Sequence, residues 1–479
     1  MASTETDLIV IGAGPAGASA AMVADSNGVD VHLVDEATQA GGQVWRAPIG
    51  DLEKSDTPET REGSSLRTRL ATSGVKTLSG ERVWSVLINT DGLFQVDSLG
   101  PDGPTTLIAP RLVAATGAYE RIVPFHGWTT PGVMGLAAAT ILLKSHAVVP
   151  GKRPVIAGAG PLLLSVAAGI LDAGVKPLAV IDLDSRADWL TRLPSLATQP
   201  KLVARGAGWA ARVRRAGVPI LHRHSVRSVD GHNQVELVTV SPVDASGAFT
   251  DGQDRQFNAD ALLVGHGLTP GADIPRLLSA KMQHSVVRGG YVPDTDAHGQ
   301  TSVDGLFAVG DGAGIRGADA AVTRGQICGL AVAKESGHLS DVEFGRKVKP
   351  LLKACKKQSH FSDAIAETLA LRSGQVTSVP KSAVVCRCED VTRAEIEAAG
   401  SAGASDVNQL KHFTRSGMGP CQGRLCGEIA ATILSQHLGV ARQTVGTLTA
   451  RPPLRPVAMG DLTGTFSYDD IPIPEPAPL

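Results

Sequence analysis

The hydrophobic positions of this chain fall into short apolar runs, each ending at a glycine-rich turn that leads into an alanine-rich segment. The first example is "DLIVIGAGPAGASAAMVADSNGVDVHLVDEA", in which the runs LIVI and VHLV flank an apolar stretch of helical length. Short apolar runs bounded by glycine are typical of strands buried in a parallel sheet, and their alternation with helices predicts βαβ units. The same alternation returns in "KRPVIAGAGPLLLSVAAGILDAGVKPLAVIDLD", so the sequence predicts an α/β fold with two such units.

Three further apolar runs extend this pattern, in "PRLVAATGAYE", "ADALLVGHGLTP" and "VDGLFAVGDGAG". They end at Gly117, at Gly265 and Gly267, and at Gly310. The most apolar window, "GPLLLSVAAGILDAG", is shorter than the roughly 18 residues that a membrane-spanning helix needs. We therefore expect a buried helix there and no membrane span.

The first turn has the spacing G-x-G-x-x-G, at Gly12, Gly14 and Gly17. We expect Gly12 to make the tight turn, Gly14 to let the backbone approach a pyrophosphate, and Gly17 to let helix and strand pack closely. The free N–H groups and positive dipole end of the helix would then face the phosphates. Asp35 ends the next strand about 20 residues later, where a carboxylate that binds a ribose diol is expected. Strand, turn, helix and acid together predict a dinucleotide-binding site.

The second turn departs from this motif. Gly158 and Gly160 stand in place, but Leu163 replaces the third glycine, and Asp182 takes the ribose position. Leu163 has no room where helix and strand should touch, so we expect the helix to stand off or tilt. The domain should keep its shape with a weakened NADH site, which leaves either a retained adenine nucleotide (NAD or ATP) or an empty site.

Net charge and the amino terminus exclude several classes of protein. Lys+Arg 45 against Asp+Glu 47 gives a net charge of -2 over 479 residues, so no basic surface argues for nucleic acid as a partner. The length suggests about three domains. Met1 is followed by polar and acidic residues and not by a basic, apolar export signal, so we expect a cytoplasmic protein with reduced thiols.

Four of the six cysteines lie together near the carboxyl end, as C-x-C followed by C-x4-C. They are Cys386, Cys388, Cys421 and Cys426. In a reducing compartment such a group more often binds metal than forms disulfides. Both pairs are expected on loops at helix ends, where four thiolates can hold a zinc ion or a [2Fe–2S] cluster. Structural zinc sites usually separate the two cysteines of a pair by two to four residues, and C-x-C is tighter than that. The spacing therefore favours an iron–sulfur cluster, while a structural zinc ion stays open.

The segments around these cysteines predict helices. Thr392 and Glu395 form a capping box that opens a short helix, "DVNQLKHFTRSG" predicts a second, and a third begins close to Cys426. The cysteine pattern resembles the bacterioferritin-associated-ferredoxin-like [2Fe–2S] domain. By that resemblance Arg387, Arg424 and a helix N-terminus would offset the negative charge of a cluster held by four thiolates.

The order of the glycine turns resembles the flavoproteins with two dinucleotide-binding domains, which include disulfide reductases and ferredoxin reductases. This resemblance implies FAD in the first fold, with Asp311 hydrogen-bonded to the ribityl chain and Gly310 beside the pyrophosphate. A buried Asp311 that caps the following helix is an equally open interpretation. The FAD-binding positions that the resemblance implies are Gly12, Gly14, Pro15, Ala16, Gly17, Asp35, Glu36, Gly42, Gln43, Arg46, Val83, Ala115, Thr116, Gly117, Gly310 and Asp311.

The combination of "GGQVWR", "PFHGWTTPGVMGLAAATILLKS", "RPPLRPVAMGDL" and the four cysteines resembles one family in particular. This is the larger (A or alpha) flavoprotein subunit of bacterial multi-subunit amine dehydrogenases, which include opine oxidase, D-hydroxyproline dehydrogenase and hydrogen cyanide synthase, and it is related to the alpha subunit of heterotetrameric sarcosine oxidase. The resemblance implies a hetero-oligomer with a smaller FAD subunit built like a D-amino-acid oxidase, an FMN at a subunit interface, and a small ferredoxin-like subunit. The substrate would be oxidised on the partner, and this chain would have no catalytic residues of its own.

The sequence thus predicts six segments. They are a first part of the FAD domain (1–119), an inserted nucleotide-type domain (120–256), a second part of the FAD domain (257–345), a helical linker (346–380), the [2Fe–2S] domain (381–445) and a proline-rich tail (446–479). Two other functions stay open: a stand-alone NAD(P)H-dependent reductase of ferredoxin or a related acceptor, and a scaffold with degenerate sites and a structural zinc.

Overall fold

The computed structural model describes residues 3–49 and 57–462. All of the predicted site residues fall within these ranges, whereas the part of the predicted tail beyond residue 462 lies outside them. No helix in the described ranges is long and apolar enough to cross a membrane.

The amino-terminal unit joins a parallel and a mainly antiparallel sheet. Its elements are β1 (Ser3–Glu5), β2 (Leu8–Ile11), α1 (Pro15–Asp25), β3 (Val31–Asp35), α2 (Pro58–Ala71), β4 (Lys76–Ser79), β5 (Arg82–Ile88), β6 (Phe94–Gly100), β7 (Gly103–Ala109), β8 (Leu112–Ala114) and β9 (Ala118–Glu120). Strands β8, β2, β3 and β4 are parallel neighbours in that order. Strands β2 and β8 are buried along their whole length, which explains their continuous apolar runs. Strands β1, β7, β6 and β5 form the second sheet.

The second unit repeats the parallel architecture. Its elements are β10 (Val133–Gly135), α3 (Leu136–His146), β11 (Pro154–Gly158), α4 (Leu162–Asp172), β12 (Ala179–Asp182), α5 (Arg186–Leu196), α6 (Pro200–Arg215), β13 (Ile220–His222), β14 (His224–Asp230), β15 (Leu237–Pro242), β16 (Arg255–Asn258) and β17 (Ala261–Gly265). The parallel sheet has the order β10-β17-β11-β12-β13, and β14, β15 and β16 form an antiparallel sheet. Leu163 is buried in one apolar cluster with Leu136 and Ile156, so the leucine at the third glycine position packs into the core of this unit.

The position of β17 corrects the domain boundary that the sequence suggests. The sequence pattern places residues 257–345 in the first domain, but β17 pairs with β10 and β11 in the parallel sheet of the second unit. The chain therefore leaves the second unit after Gly265 and not at residue 256. An apolar strand that ends in glycine fits either sheet, and only the pairing decides which one it joins.

The chain then returns to the first unit. The elements are β18 (Leu268–Pro270), α7 (Asp273–Leu277), β19 (Met282–Ser285), β20 (Gly290–Pro293), β21 (Leu306–Ala308), a 3₁₀ turn (Gly310–Ala313) and α8 (Ala318–Glu335). Strand β18 pairs with β9, and β21 joins the first parallel sheet beside β8. Helix α8 lies directly on α1, because a Cβ added at Gly325 would come within 2.1 Å of the carbonyl oxygen of Ala16.

A long helix leads to the cysteine-bearing unit. The elements are α9 (Asp341–Thr368), α10 (Ser373–Thr377), β22 (Val384–Cys386), β23 (Val391–Thr392), α11 (Arg393–Ser401), α12 (Val407–Thr414), α13 (Gly427–Leu438), α14 (Arg442–Val445) and α15 (Met459–Leu462). The predicted capping box of Thr392 and Glu395 is confirmed. This unit has its own core, which includes Ile396, Ile429 and Leu434. It is fixed to the rest of the chain in part by the indole of Trp128, which donates to the carbonyl oxygen of Val384 at 2.7 Å.

Candidate functional site

The first glycine turn is tightly packed where it must be and open where a ligand would approach. Gly12 has φ +105°, and a Cβ there would lie 2.4 Å from the carbonyl oxygen of Ala115. A Cβ on Gly17 would lie 1.9 Å from the carbonyl oxygen of Gly12. At Gly14 the nearest atom to such a Cβ is the Cα of Gly42, at 3.8 Å. Glycine is thus required at the first and third positions by packing, and the second leaves room for a pyrophosphate.

Two other predicted turns converge on the same end of α1. The loop at Gly42 lies against Gly14, since a Cβ on Gly42 would be 3.0 Å from the Gly14 Cα. Gly310 lies against Ala16, where a Cβ would come within 2.8 Å of the alanine methyl group. Helix α1 begins with Pro15 and presents the unpaired N–H groups of its first turn to this crevice. Segments far apart in sequence therefore form one crevice at the N-terminus of α1.

Asp35 is fixed beside the turn at the end of β3. Its Oδ2 accepts a hydrogen bond from the backbone N–H of Ala13, and Oδ1 accepts one from Ala37 at 2.7 Å. Burial raises the pKa of Asp35, while these two hydrogen bonds oppose the shift. Glu36 follows on the exposed side. The carboxylate is thus oriented by backbone donors at the edge of the crevice, where a ribose diol would lie in this fold.

Asp311 is hydrogen-bonded to the loop that precedes α8. Its Oδ1 accepts from the backbone N–H groups of Arg316 at 2.9 Å and Gly317 at 3.2 Å, just before α8. Burial raises the pKa of Asp311 against these hydrogen bonds. Both bonds use Oδ1, so Oδ2 can serve as the acceptor for a ligand hydroxyl. Asp311 thus holds the loop before α8 and does not cap the first turn of the helix, and this role is compatible with the FAD interpretation.

The remaining predicted positions lie after β8, on β5 and in the loop that contains Gly42. Ala115 is buried, Thr116 donates to the carbonyl oxygen of Gly271, and Gly117 accepts from the Gly271 N–H at 2.8 Å. Val83 lies on β5. Gln43 is exposed, and its side-chain oxygen is 3.4 Å from a guanidinium nitrogen of Arg46. The contacts of all these residues with FAD stay a prediction.

The second glycine turn is closed by the chain itself. A Cβ on Gly160 would lie 2.6 Å from Leu369 Cδ2 and 3.1 Å from Thr368 Oγ1. The corresponding place at Gly14 in the first unit is open. The backbone of Leu369 is held there by Arg121, which donates to its carbonyl oxygen at 3.0 Å. Leu369 therefore occupies the space that a pyrophosphate needs.

The acidic residues at the end of β12 in the second fold also have partners within the chain. Asp182 interacts with His222 Nδ1 at 3.1 Å and accepts from the Asp184 N–H at 3.0 Å. Arg372 forms an ion pair with the buried Asp184 and donates to the Leu183 carbonyl oxygen at 3.2 Å. In this arrangement Asp182, Asp184 and Arg372 bind one another and neighbouring groups of the chain, and they do not fit a dinucleotide. No sequence pattern signals this closure, because residues 368–372 lie about 200 positions beyond the turn that they cover.

The four cysteines meet. The Cys426 thiol shifts the pKa of Cys386, and the Cys421 thiol that of Cys388, while Cys386 also acts on Cys388 and Cys421 on Cys426. The first pair is buried, Cys388 is exposed, and all four thiols are free. Among the described residues, no three or more His, Cys, Asp and Glu side chains are grouped closely enough to hold one metal ion. The four thiols therefore lie in one neighbourhood, in which each interacts with two others.

The environment of Cys386 favours its thiolate form. The hydrogen bond from Cys426 lowers the pKa of Cys386 to about 6, against the effect of burial, and the backbone N–H groups of Gly417, Glu389 and Cys388 act in the same direction. The same pairing, together with burial, raises the pKa of Cys426. Backbone donors aimed at sulfur are a feature of iron–sulfur sites, where they stabilise cluster charge.

The two arginines expected near the cluster have other partners. Arg424 Nε lies 2.9 Å from Asp273 Oδ2, and its guanidinium also contacts Tyr119. Arg424 therefore forms an ion pair that joins the cysteine unit to the first unit. Arg387 lies over the ring of Trp128, at 5.9 Å from its centroid. The helix N-terminus is where the sequence predicts it, since Cys426 is the N-cap residue of α13.

The fold and these sites define an oxidoreductase-type protein with two nucleotide folds, one open and one closed, and an added four-thiol unit. Residues 6–325 match the family described as Pyridine nucleotide-disulphide oxidoreductase, and residues 380–465 match the Sarcosine oxidase A3 domain. The chain belongs to the pyridine nucleotide-disulphide oxidoreductase family and, within it, to the flavoprotein subunits typified by that of opine oxidase. The matched domain supports FAD in the first fold.

Named relatives are similar over nearly the whole chain. The A subunit of opine oxidase from Rhizobium meliloti (strain 1021) is 33% identical over 95% of this chain and 98% of its own length. The HcnB subunit of hydrogen cyanide synthase from Pseudomonas protegens is 30% identical, with coverage of 94% and 96%. The alpha subunit of sarcosine oxidase from Corynebacterium sp. (strain P-1) is 25% identical over 96% of this chain but only 45% of its own length.

Solved structures confirm the α/β fold. L-proline dehydrogenase from P. horikoshii superposes with a TM-score of 0.71 at 22% identity, over 96% of this chain and 80% of that one. Thioredoxin reductase of T. acidophilum gives a TM-score of 0.52 at 21% identity, over 69% of this chain and 99% of that one. At these identities the likeness concerns the fold alone.

Proposed function

We propose that this chain is the FAD- and [2Fe–2S]-containing electron-transfer subunit of a multi-subunit dehydrogenase or oxidase that acts on the C–N bond of an amino acid, an opine or a related amine. The observation that carries the proposal is the meeting of four thiols in one neighbourhood, in a unit that packs against an FAD-type crevice. The relatives named as subunits of opine oxidase and sarcosine oxidase support the substrate class.

The residues of the first crevice fit FAD. Gly14 leaves the approach to the α1 N-terminus open, Asp35 is oriented for a ribose, and Asp311 keeps one carboxylate oxygen for a hydroxyl. A flavin carries electrons in pairs and a [2Fe–2S] cluster carries them singly, so together they supply a route from hydride-type oxidation to one-electron transfer. The chain's own contribution is to hold and orient both groups.

The thiol arrangement favours a binuclear cluster over zinc. A [2Fe–2S] cluster takes four thiolates, two on each iron, whereas a structural zinc gathers all four around one ion. We propose that Cys386 with Cys426 and Cys388 with Cys421 supply two such pairs, because these are the thiols that interact most directly. The backbone N–H groups that face Cys386 suit a ligand carrying net negative charge.

The amine would be oxidised on a partner subunit. We propose a smaller FAD subunit built like a D-amino-acid oxidase, an FMN at the subunit interface, and a small ferredoxin-like subunit in a hetero-oligomer. Support comes from the relatives, which are named as subunits of opine oxidase, hydrogen cyanide synthase and sarcosine oxidase. In keeping with this division, we assign no catalytic residue to this chain.

The main alternative is a stand-alone NAD(P)H-dependent reductase, which would use the second nucleotide fold. The contact of Leu369 with Gly160 argues against it, because a nicotinamide dinucleotide needs that space for its pyrophosphate. Stopped-flow mixing of the anaerobic protein with NADH separates the two functions. Bleaching of the flavin by NADH within the mixing time would support the reductase and refute the subunit proposal.

Two further measurements test the proposal directly. Anaerobically purified protein should contain two irons and two acid-labile sulfides per chain by the stoichiometry of a [2Fe–2S] cluster. Zinc without iron or sulfide would instead support a scaffold. Purification from the native host should yield a smaller flavoprotein partner and more than one flavin per complex, and a lone chain with a single FAD would contradict the proposed assembly.

A further inference from the structure

The carboxy-terminal segment 451–458, which we call the strap, packs on the first unit. Leu454 is buried in the same apolar cluster as Ile9 and Val34, at the core of the first parallel sheet. Its backbone N–H donates to the carbonyl oxygen of Trp84 at 2.6 Å, one residue past Val83. The buried side chain of Leu454 and its backbone hydrogen bond therefore hold the strap at the edge of the FAD-type crevice.

Arg455 spans the strand ends at which a dinucleotide is expected. Its Nε lies 3.8 Å from Glu36 Oε2, and its Nη2 donates to the Tyr119 hydroxyl at 3.1 Å. Glu36 directly follows β3, and Tyr119 lies two residues beyond Gly117, on the strand that follows β8. Because β2 lies between β3 and β8, the guanidinium joins the segments that follow the two neighbours of β2. Ligands of open α/β sheets lie in this crevice outside the carboxyl ends of the strands.

The strap is also held from the cysteine unit. Arg424 Nη2 donates to the Leu454 carbonyl oxygen at 2.6 Å, and the Gln422 side-chain amide donates to the carbonyl oxygen of Pro453. Both residues belong to the loop between Cys421 and Cys426. The strap thus lies across the crevice with one side fixed to the sheet and the other to the cysteine loop.

We propose that the strap is part of the dinucleotide site and that Arg455 binds the adenosine diphosphate half of FAD. The inference rests on the proposed function only in taking FAD as the occupant of the first fold. The contact of Arg455 with Glu36 is long, and the Glu36 side chain is 60% exposed, so this ion pair is weak and leaves guanidinium donors available. A planar guanidinium is suited to a phosphate because it offers paired N–H groups.

The test is the affinity of the full-length protein for FAD, measured by reconstitution after flavin removal. We compare Arg455→Ala and Arg455→Gln with the matched control Arg451→Ala, since Arg451 is an exposed strap residue. Loss of one charge-assisted hydrogen bond should raise the Kd of both Arg455 variants by about 10- to 100-fold. The control should stay within about twofold of the wild type, with iron content unchanged in all proteins. Equal Kd values for wild type and both Arg455 variants would overturn the inference.

Competition with fragments identifies which half of FAD is bound. ADP should compete with FAD in the wild type and lose affinity in the Arg455 variants, whereas FMN should compete equally in all. A loss confined to FMN competition would place Arg455 at the flavin half and contradict the proposal. A wild type that binds no FAD refutes the proposed function itself, whereas a wild type that binds FAD with unaffected variants refutes only the role of the strap.

Discussion

Glu120 is a largely buried carboxyl group with no cationic partner among the described residues, so its replacement by glutamine should change how stability depends on pH. It ends β9 and accepts the backbone N–H of Ala137, at 3.1 Å, in the first turn of α3. Gly135 lies so close that a Cβ there would be 1.8 Å from Glu120 Oε2. Burial raises the pKa of Glu120 from 4.5 to about 7, although the helix N–H groups oppose the shift.

The sign follows from proton linkage. Between pH 4.5 and about 7 the folded protein keeps a proton that the unfolded chain has released, so the free energy of unfolding falls as pH rises through this window. Below pH 4.5 the Glu120 carboxyl is protonated in both states and does not lower the free energy of unfolding. Above about pH 7 it is ionised in both states, and the loss in the free energy of unfolding no longer changes with pH. A shift of this size corresponds to about 3 kcal/mol in total. Glutamine keeps an acceptor oxygen for Ala137 and has no charge to bury, so the Glu120→Gln variant should lack this loss.

The assay is the midpoint of thermal unfolding of the FAD-loaded protein at pH 5, 6, 7 and 8. For a chain of this length the unfolding entropy is about 1 kcal/mol per kelvin, so 3 kcal/mol corresponds to about 3 °C. The variant should gain about 2 °C on the wild type between pH 5 and 7, because part of the loss has already occurred at pH 5, and little more at pH 8. Glu5→Gln, at an exposed strand residue, is the control and should show a constant difference. A constant difference for Glu120→Gln as well would refute the reasoning.

The other predictions concern the cofactor sites. Cys386→Ser should abolish iron and acid-labile sulfide and the visible absorption of the cluster, whereas Cys355→Ser, outside the cysteine unit, should keep them. Gly17→Ala should reduce FAD content at least tenfold, because its Cβ would lie 1.9 Å from a backbone oxygen, and Gly206→Ala, with open space around it, should not. NADH and ATP should show no calorimetric binding to the FAD-loaded wild type at millimolar concentration, whereas the FAD-loaded Leu369→Ala variant should bind an adenine nucleotide measurably. Micromolar binding to the FAD-loaded wild type would contradict closure of the second fold.

The parts of the site that could be predicted from sequence are those built by local geometry. The turn at Gly12 needs a positive φ, and the packing of α1 on β2 needs glycine at position 17, so a few neighbouring residues predict the crevice. The capping box before α11 is equally local, because Thr392 and Glu395 satisfy each other's backbone donors within one helical turn. The strand β17 could not be assigned in this way, since its apolar run suits both parallel sheets.

The sequence by itself therefore determined the α/β fold, the dinucleotide turn and the presence of a four-thiol unit, because each depends on spacings within short segments. Only the tertiary structure decided that the four thiols meet, that Leu369 covers Gly160, and that Arg455 lies across the first crevice. These contacts join residues that lie far apart along the chain, and no local pattern records such a distance. Their formation depends on how the long helix α9 and the cysteine unit pack against the first two folds.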